Sequence, residues 1–429
     1  MKINLAYGKT GTAIEMPEGL DVKVLDPRWA RPLDDVGWAL AVAMAEPTAG
    51  PALSELARGK KTAAISVCDI TRPAPNRVVL PHVIRALEQG GIAAENVRIL
   101  IATGLHREAT DTELDEIVGP EMRSKCRVDS HRARELDEQT HLGDTDAGTP
   151  VYIDKRFVEA DVHITLGFIE PHLMAGFSGG RKLISIGLAG ERTIKKLHSP
   201  LYMRDPDAVE GVFPANPLHR ELIEIARRAR HDFMVDVALN GNREIAAIFT
   251  GEPEEAHAKG VEFVRRSTLA AVGEEADAVI TTSGGYPLDL TYYQSVKGIT
   301  AAAHIVRKGG EILLVGECSE GLGGPEFSEM LRTSPDWRAL LDSFENAEVR
   351  VDQWQLEKLA MVAAKAKLSF CVPNVSAEDR KILWGPSYDT PQEAVDKLAA
   401  SLPHGARVVV IPEGPYVFSQ LEPEPVAAD

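Results

Sequence analysis

An α/β fold of two lobes is what the sequence predicts, on three observations. Short apolar runs end in loops rich in glycine, proline and polar residues; amphipathic helical stretches separate those runs; and 429 residues suit two or three domains. Before Pro27 the runs KINLAYG, TAIEMP and VKVLDP alternate with turn residues, which predicts a small β-meander. From residue 61 the rhythm changes: KTAAISV predicts a buried strand, CDITRPAPN a loop, RVVLPHVIRALEQGG a helix closed by glycine, and VRILIATG the next strand. Strand, helix, strand at this spacing predicts a parallel βαβ unit. DVHITLGFIE adds a strand, followed by a glycine-rich loop and the helical stretches ERTIKKLHS and NPLHRELIEIARRAR. A boundary falls near VGEEA, after which ADAVITTSG, IVRKGGEILLVGEC, KLSFCVPNV and RVVVIPEG read as strands, with helices such as PQEAVDKLAASL between them. The expected domains are residues 1–272 and 273–407, with the tail 408–429 packing back on the first and its LEPEPVAAD end frayed.

Lys and Arg total 47 against 64 Asp and Glu, a net charge of −17, which argues against a general binder of nucleic acid or anionic membrane. A small anion in a locally basic pocket remains compatible with it. With 44% hydrophobic and 26% charged residues the chain can bury a sizeable core, which excludes disorder and fibrous repeats as the main state. Cys68, Cys126, Cys318 and Cys371 are far apart, form no CxxC pair, and read as reduced, buried thiols. MKINLAYGKTG lacks the pattern of a secretory signal, and no uncharged apolar run reaches the ~18 residues of a bilayer span. A cytoplasmic protein is the expectation.

In open α/β sheets ligands sit beyond the carboxyl ends of the strands. Asp69, Ile70, Thr71 and Arg72 follow TAAISV, where a carboxylate, a hydroxyl and a guanidinium could grip a ribose and a phosphate, or could form a helix cap with a surface arginine. His106 follows VRILIATG and His172 follows HITLGFIE. Imidazole takes and returns a proton near neutral pH, so two histidines at equivalent strand ends suit a pair of acid/base groups; the alternative is satisfied histidines at the core's edge. In GFSGGRKLISIGLAGERTIKKLHSP, Gly176, Gly179 and Gly180 would let a flat ligand approach and present N–H groups to an anion. Lys182 could serve there as electrostatic anchor or covalent attachment point, and His198 could give a single metal bond. The stretch does not match the P-loop pattern. In SGGYPLDLTYYQSVKG, Gln294 and Lys297 share one helix face and could converge on one carboxylate, or form a solvated face, with Tyr292 and Tyr293 just before them. Trp354 reads as packing.

Taken in order, CDITRPAPN, ATGLHR, GFIEPHLMAGFSGGRK, LHS and GGYPLDLTYYQSVKG resemble the nickel-dependent lactate racemase family, over roughly residues 1 to 415. The resemblance implies two α/β lobes with the active site in the cleft between them. It implies a nickel-pincer nucleotide cofactor, a Ni(II) pyridinium-3,5-bisthiocarboxylate mononucleotide that can be joined to Lys182 as a thioamide. Asp69, Ile70, Thr71 and Arg72 would hold its ribose and phosphate, and His198 would be the protein ligand to nickel. His106 and His172 would be the acid/base pair, Gln294 and Lys297 would bind the substrate carboxylate, and Tyr293 and Trp354 would line the pocket. The implied reaction is racemisation or epimerisation of a small 2-hydroxy acid, with the C2 hydride passing to the cofactor and back; the resemblance implies no nucleic-acid or membrane partner. The oligomeric state is open, a homodimer included.

Lactate-acting members are expected to carry proline between the second glycine and the lysine, where this chain has Arg181. That departure leaves lactate, a longer-chain acid and a sugar acid all open. Two other readings stand beside the racemase: a hydrolase with His106, His172 and His198 on zinc, and a non-catalytic nucleotide-binding or sensor protein of the same fold.

Overall fold

Every residue of Ala63–Cys68 and of Val162–Phe168 is buried, as in parallel strands covered on both faces. These two strands pair in the middle of a six-stranded sheet ordered Ile245–Gly251, Phe233–Leu239, Val162–Phe168, Ala63–Cys68, Val97–Ala102, Arg127–Ser130. Its neighbours are parallel except for the antiparallel edge strand Ile245–Gly251. The helix Asn76–Gln89 connects Ala63–Cys68 to Val97–Ala102 and buries Val79, Leu80, Val83, Ile84 and Leu87. Gly90 closes it because a Cβ there would stand 2.4 Å from the Cβ of Ala57 and 2.6 Å from the Ser54 carbonyl oxygen. Strand order reverses between Ala63–Cys68 and Val162–Phe168, so a crevice opens at their carboxyl ends, where this class of sheet binds ligands.

The computed structural model describes residues 1–25, 29–345 and 347–421. They fall into two units: Trp29–His198 with Asp205–Arg266, and Met1–Arg28 with Ser199–Arg204 and Ser267–Asp429. The second unit is built on a parallel sheet ordered Ser387–Tyr388, Lys367–Cys371, Val306–Val315, Ala276–Thr282, Arg407–Ile411, Asp21–Val24. Tyr292, Phe327 and Phe370 sit fully buried in its core. Here the order reverses between Ala276–Thr282 and Arg407–Ile411, and the glycine-rich turn before helix Tyr292–Ala303 follows the first of these strands.

The predicted division at residue 272 needs correction at both ends. Lys2–Leu5 and Thr12–Glu15 do form an antiparallel hairpin, but Asp21–Val24 leaves it to pair in parallel with Arg407–Ile411. The tail does not return to the first unit: Phe418–Leu421 pairs with Leu269–Val272, within the second. Pairing between segments hundreds of residues apart leaves no local periodicity, so a four-residue alternation was read as part of a meander. Residues 422–429, most of the segment expected to fray, lie outside the described residues. Among the described residues no helix is long and apolar enough to cross a membrane.

The first unit also buries histidines away from the strand ends. Burial pushes His219 and His231 down to about 3 and holds His257 well below its ordinary value of 6.5. These groups stay neutral when folded and protonate when unfolded, so below pH 6.5 the unfolded state binds more protons and stability falls as pH falls. Urea unfolding should show each of the three removing roughly 1 kcal/mol between about pH 7.5 and 5.5. Stability that holds steady across that range would contradict the buried neutral state.

Candidate active site

Asp69 stands directly beyond Cys68 and is 8% exposed. Its loop is tied back by Asn76, whose amide donates to the Cys68 carbonyl at 3.1 Å. Thr71 Oγ1 donates to Asp69 Oδ1 at 2.7 Å and accepts from Arg72 Nη1 at 3.0 Å. The other carboxylate oxygen, Oδ2, takes the Nδ1–H of His106 at 2.7 Å. Burial raises the Asp69 pKa, but the hydrogen bond and charge of His106, with Arg72 and Thr71, outweigh it and hold the carboxyl below its usual range. The helix-cap reading of these residues does not hold, because Asn76–Gln89 has no side-chain cap. Ile70 packs on the core beneath the loop.

His106 is carried on the turn after Val97–Ala102, with its N–H bonded to the Thr103 carbonyl at 2.9 Å. Gly104, at φ +54°, takes a left-handed conformation there and bonds the Gly187 carbonyl. With Nδ1–H committed to Asp69, the Nε2 of a neutral His106 carries the basic lone pair.

His172 lies in a tight hairpin, Pro171–His172 against Gly176–Phe177. The backbone N–H groups of Ala175 and Met174 donate to its Nδ1 at 3.3 and 3.4 Å, so the neutral ring keeps its proton on Nε2. Nε2 stands 2.5 Å from Lys182 Nζ. Two N–H donors cannot share that contact, so the amine accepts and is unprotonated. The same conclusion follows from the electrostatics: burial, then the charge of Arg72, brings Lys182 from 10.5 down to about 7. A neutral amine is the nucleophilic form. Lys182 should therefore be acylated by a small amine-directed reagent with a midpoint near pH 7, read by mass spectrometry; a midpoint near 10.5 would contradict this arrangement.

His198 ends helix Glu191–Leu197 and is 7% exposed. Its Nδ1–H donates to the Ile194 carbonyl at 2.7 Å, which places the lone pair on Nε2. Burial pushes it down to about 4. A neutral imidazole whose far nitrogen is fixed by a carbonyl is the usual form of a histidine ready to bind a metal.

The glycine-rich segment differs from its sequence reading. Gly180 N–H donates to Asp236 Oδ2 at 2.7 Å, and a Cβ on Gly179 would stand 2.2 Å from that oxygen. These glycines admit a buried carboxylate of the protein rather than a ligand. Asp236 comes from Phe233–Leu239, a strand the sequence reading did not assign; an aspartate in the apolar run FMVDVAL was the available signal. Arg181 faces inward, 4% exposed. It donates to the carbonyls of Ala175, Phe177, Ser178 and Gly179, and lies 2.7 Å from His257 Nε2, which itself donates to the Ser178 carbonyl at 2.8 Å. It braces its own loop.

Asp69, Thr71, Arg72, His106, His172, Lys182 and His198 thus all belong to the first unit. Gln294, Lys297, Tyr293 and Trp354 form a second group, in the other unit. Thr291 caps helix Tyr292–Ala303 through the Gln294 N–H, and Tyr293, Gln294 and Lys297 are half-buried on successive turns. The side-chain oxygen of Gln294 is buried without a protein partner. Tyr293 meets the ring of Trp354 edge-on at 6.1 Å, and Gln355 donates to the Tyr293 carbonyl at 2.6 Å.

Among the described residues no three His, Cys, Asp or Glu side chains are arranged to hold a metal ion. His106, His172 and His198 therefore do not form the zinc site of the hydrolase reading. Residues 7–211 match the family model of the lactate racemase N-terminal domain, and residues 272–418 that of the lactate racemase C-terminal domain. The chain belongs to the lactate racemase family.

A lactate racemase of Thermoanaerobacterium thermosaccharolyticum is 34% identical over 422 residues, covering 97% of this chain and 98% of that protein. The lactate racemase of Lactiplantibacillus plantarum is 34% identical over 372 residues, 86% of this chain and 87% of its own length. The lactate racemase apoprotein structure from T. thermosaccharolyticum superposes with a TM-score of 0.92 at 32% identity, covering 98% of this chain and 100% of that one. A Thermotoga maritima protein, 15% identical with a TM-score of 0.67 and covering 90% of this chain and 97% of its own, shares the fold alone. Lactate racemases are isomerases acting on a hydroxy acid, and this member of the family is an enzyme of that class.

Proposed function

We propose that this protein is a 2-hydroxy acid racemase with lactate as substrate, working with the Ni(II) pyridinium-3,5-bisthiocarboxylate mononucleotide. The observation that carries this reading is the pair of histidines, each held in one tautomer by a neighbour, beyond the two strands that flank Ala63–Cys68. The residues fit the cofactor by their donor chemistry. One neutral histidine, His198, can give a single bond, so a metal here must bring its remaining donors with it. Lys182 offers a neutral amine for a thioamide link, while Asp69, Ile70, Thr71 and Arg72 lie on the loop that would hold the ribose and phosphate, with Arg72 as the cation for the phosphate.

When bound, the nucleotide supplies the acceptor and donor for the substrate's C2 hydride. Lys297 and Gln294 hold the substrate carboxylate, and Tyr293 and Trp354 wall the acid. His106 takes the hydroxyl proton at Nε2 and is stabilised as imidazolium by Asp69. His172, whose proton sits on Nε2, gives the proton that completes the opposite enantiomer. Each enantiomer uses the two histidines in opposite order.

Arg181 is the departure that left a longer-chain or sugar acid open, and both its terminal nitrogens are bonded to carbonyls of its own loop. Lactate and its close analogues are therefore preferred to a sugar acid. The test uses the cofactor-loaded protein with enantiopure lactate deuterated at C2. Racemisation with the label kept is expected, since a hydride passed and returned does not exchange with water. Rapid loss of label to solvent would sink the hydride route, and unchanged lactate beside a racemised longer acid would sink the substrate.

A further inference from the structure

Helices Pro217–Arg228 and Pro253–Thr268 of the first unit flank a cavity of about 310 Å³ that reaches the glycine-rich segment through Arg181. That volume stands at the small end of ligand pockets. Its lining combines apolar Phe213 and Ile223 with Arg181, His219 and His257. Phe213 meets the His219 ring at 4.6 Å, and His219 stacks on His257 at 5.9 Å with an interplanar angle of 20°.

Two buried polar atoms of this lining have no protein partner, Arg181 Nε and His219 Nδ1, on residues 4% and 3% exposed. Arg181 makes no ion pair among the described residues. Asp236 is the carboxylate whose charge acts on it, and burial pushes Asp236 itself up to about 7. A buried cation answered mainly by carbonyl dipoles favours an anion beside it. The acids at the mouth are already engaged: Glu254 pairs with Arg227 at 2.5 Å, and Glu252 accepts from the Glu254 and Glu255 N–H groups at 3.2 and 2.8 Å. A charged head on Arg181 and His219 with a short tail against Phe213 and Ile223 matches this lining; a polyanion does not.

We propose that this cavity is a second small-molecule site that takes a short-chain aliphatic carboxylate. None of its lining residues is among those proposed to hold the hydroxy acid.

Isobutyrate is the probe, titrated calorimetrically into the cofactor-free full chain. Saturable binding is expected in the wild type and in Lys297→Met, weakened at least about tenfold in Ala258→Phe, which fills the cavity, and in His219→Phe, which keeps a ring without its nitrogens. Either cavity variant suffices if the other does not fold. Inorganic phosphate should bind at least about tenfold more weakly, because it has no tail for the apolar wall. Absence of saturable isobutyrate binding, equal binding in the folded cavity variant, loss in Lys297→Met alone, or phosphate binding as tightly would each overturn the proposal.

Discussion

Asp69→Asn should lower kcat of the cofactor-loaded enzyme by about 10³- to 10⁴-fold, the scale on which a carboxylate behind a catalytic histidine acts. The reason lies in a chain of donors. Arg72 Nη1 donates to Thr71 Oγ1, so the Thr71 hydroxyl must donate onward, and it meets Asp69 Oδ1 at 2.7 Å. An asparagine in that place turns its oxygen to Thr71 and its NH₂ to His106. The imidazole then accepts at Nδ1, carries its proton on Nε2, and cannot take one from the substrate. The charge that stabilises the imidazolium is lost as well. Nickel content separates this from loss of the ribose contact: an orienting role leaves nickel per chain unchanged, a cofactor-holding role lowers it. His106→Ala with Asp69→Asn should be no slower than His106→Ala alone, because the two act as one unit. Additive losses would contradict the orienting role.

Arg181→Met should destabilise the protein by roughly 2 kcal/mol, as expected when several buried charge-assisted hydrogen bonds are lost together. Four carbonyls, of Ala175, Phe177, Ser178 and Gly179, accept from this guanidinium at 2.8 to 3.2 Å, and those of Ala175, Ser178 and Gly179 keep a second donor in the Phe177 N–H, His257 Nε2 and the Lys182 N–H. Methionine fills much of the volume and removes a costly buried charge, which offsets part of the loss but returns no donor. Denaturant unfolding measures the stability. A second readout reports on the site: the charge of Arg181 helps to hold Lys182 down near 7, so the midpoint of Lys182 acylation should move upward in the variant. Unchanged stability would show that the loop stands without its brace, and an unmoved midpoint would show that Arg181 does not act on the lysine.

Much of the molecule was legible because buried parallel strands and their crossover helices write local patterns. AAISVC and VHITLGF are mostly apolar because both faces of the sheet are covered, which places the residues just beyond them at a ligand crevice. His106 and His198 could be placed for the same reason: one follows a strand and the other ends a helix whose limits are local. The pairing of Asp21–Val24 with Arg407–Ile411 was not, since 4 and 5 residues of ordinary alternation carry no mark of a partner at the other end of the chain.

Residue types and order by themselves determined the α/β class, the family's five motifs, and which side chains can move protons or hold anions. What each side chain is committed to was decided only by tertiary contact. Arg181 leaves the substrate open in sequence and braces its own loop in the fold; Gly179 and Gly180 read as an anion cradle and are room for Asp236. Asp69 reads as a ribose partner and is bonded to His106. A hydrogen bond of under 3 Å depends on two backbones from distant parts of the chain arriving together, and no local pattern encodes that arrival.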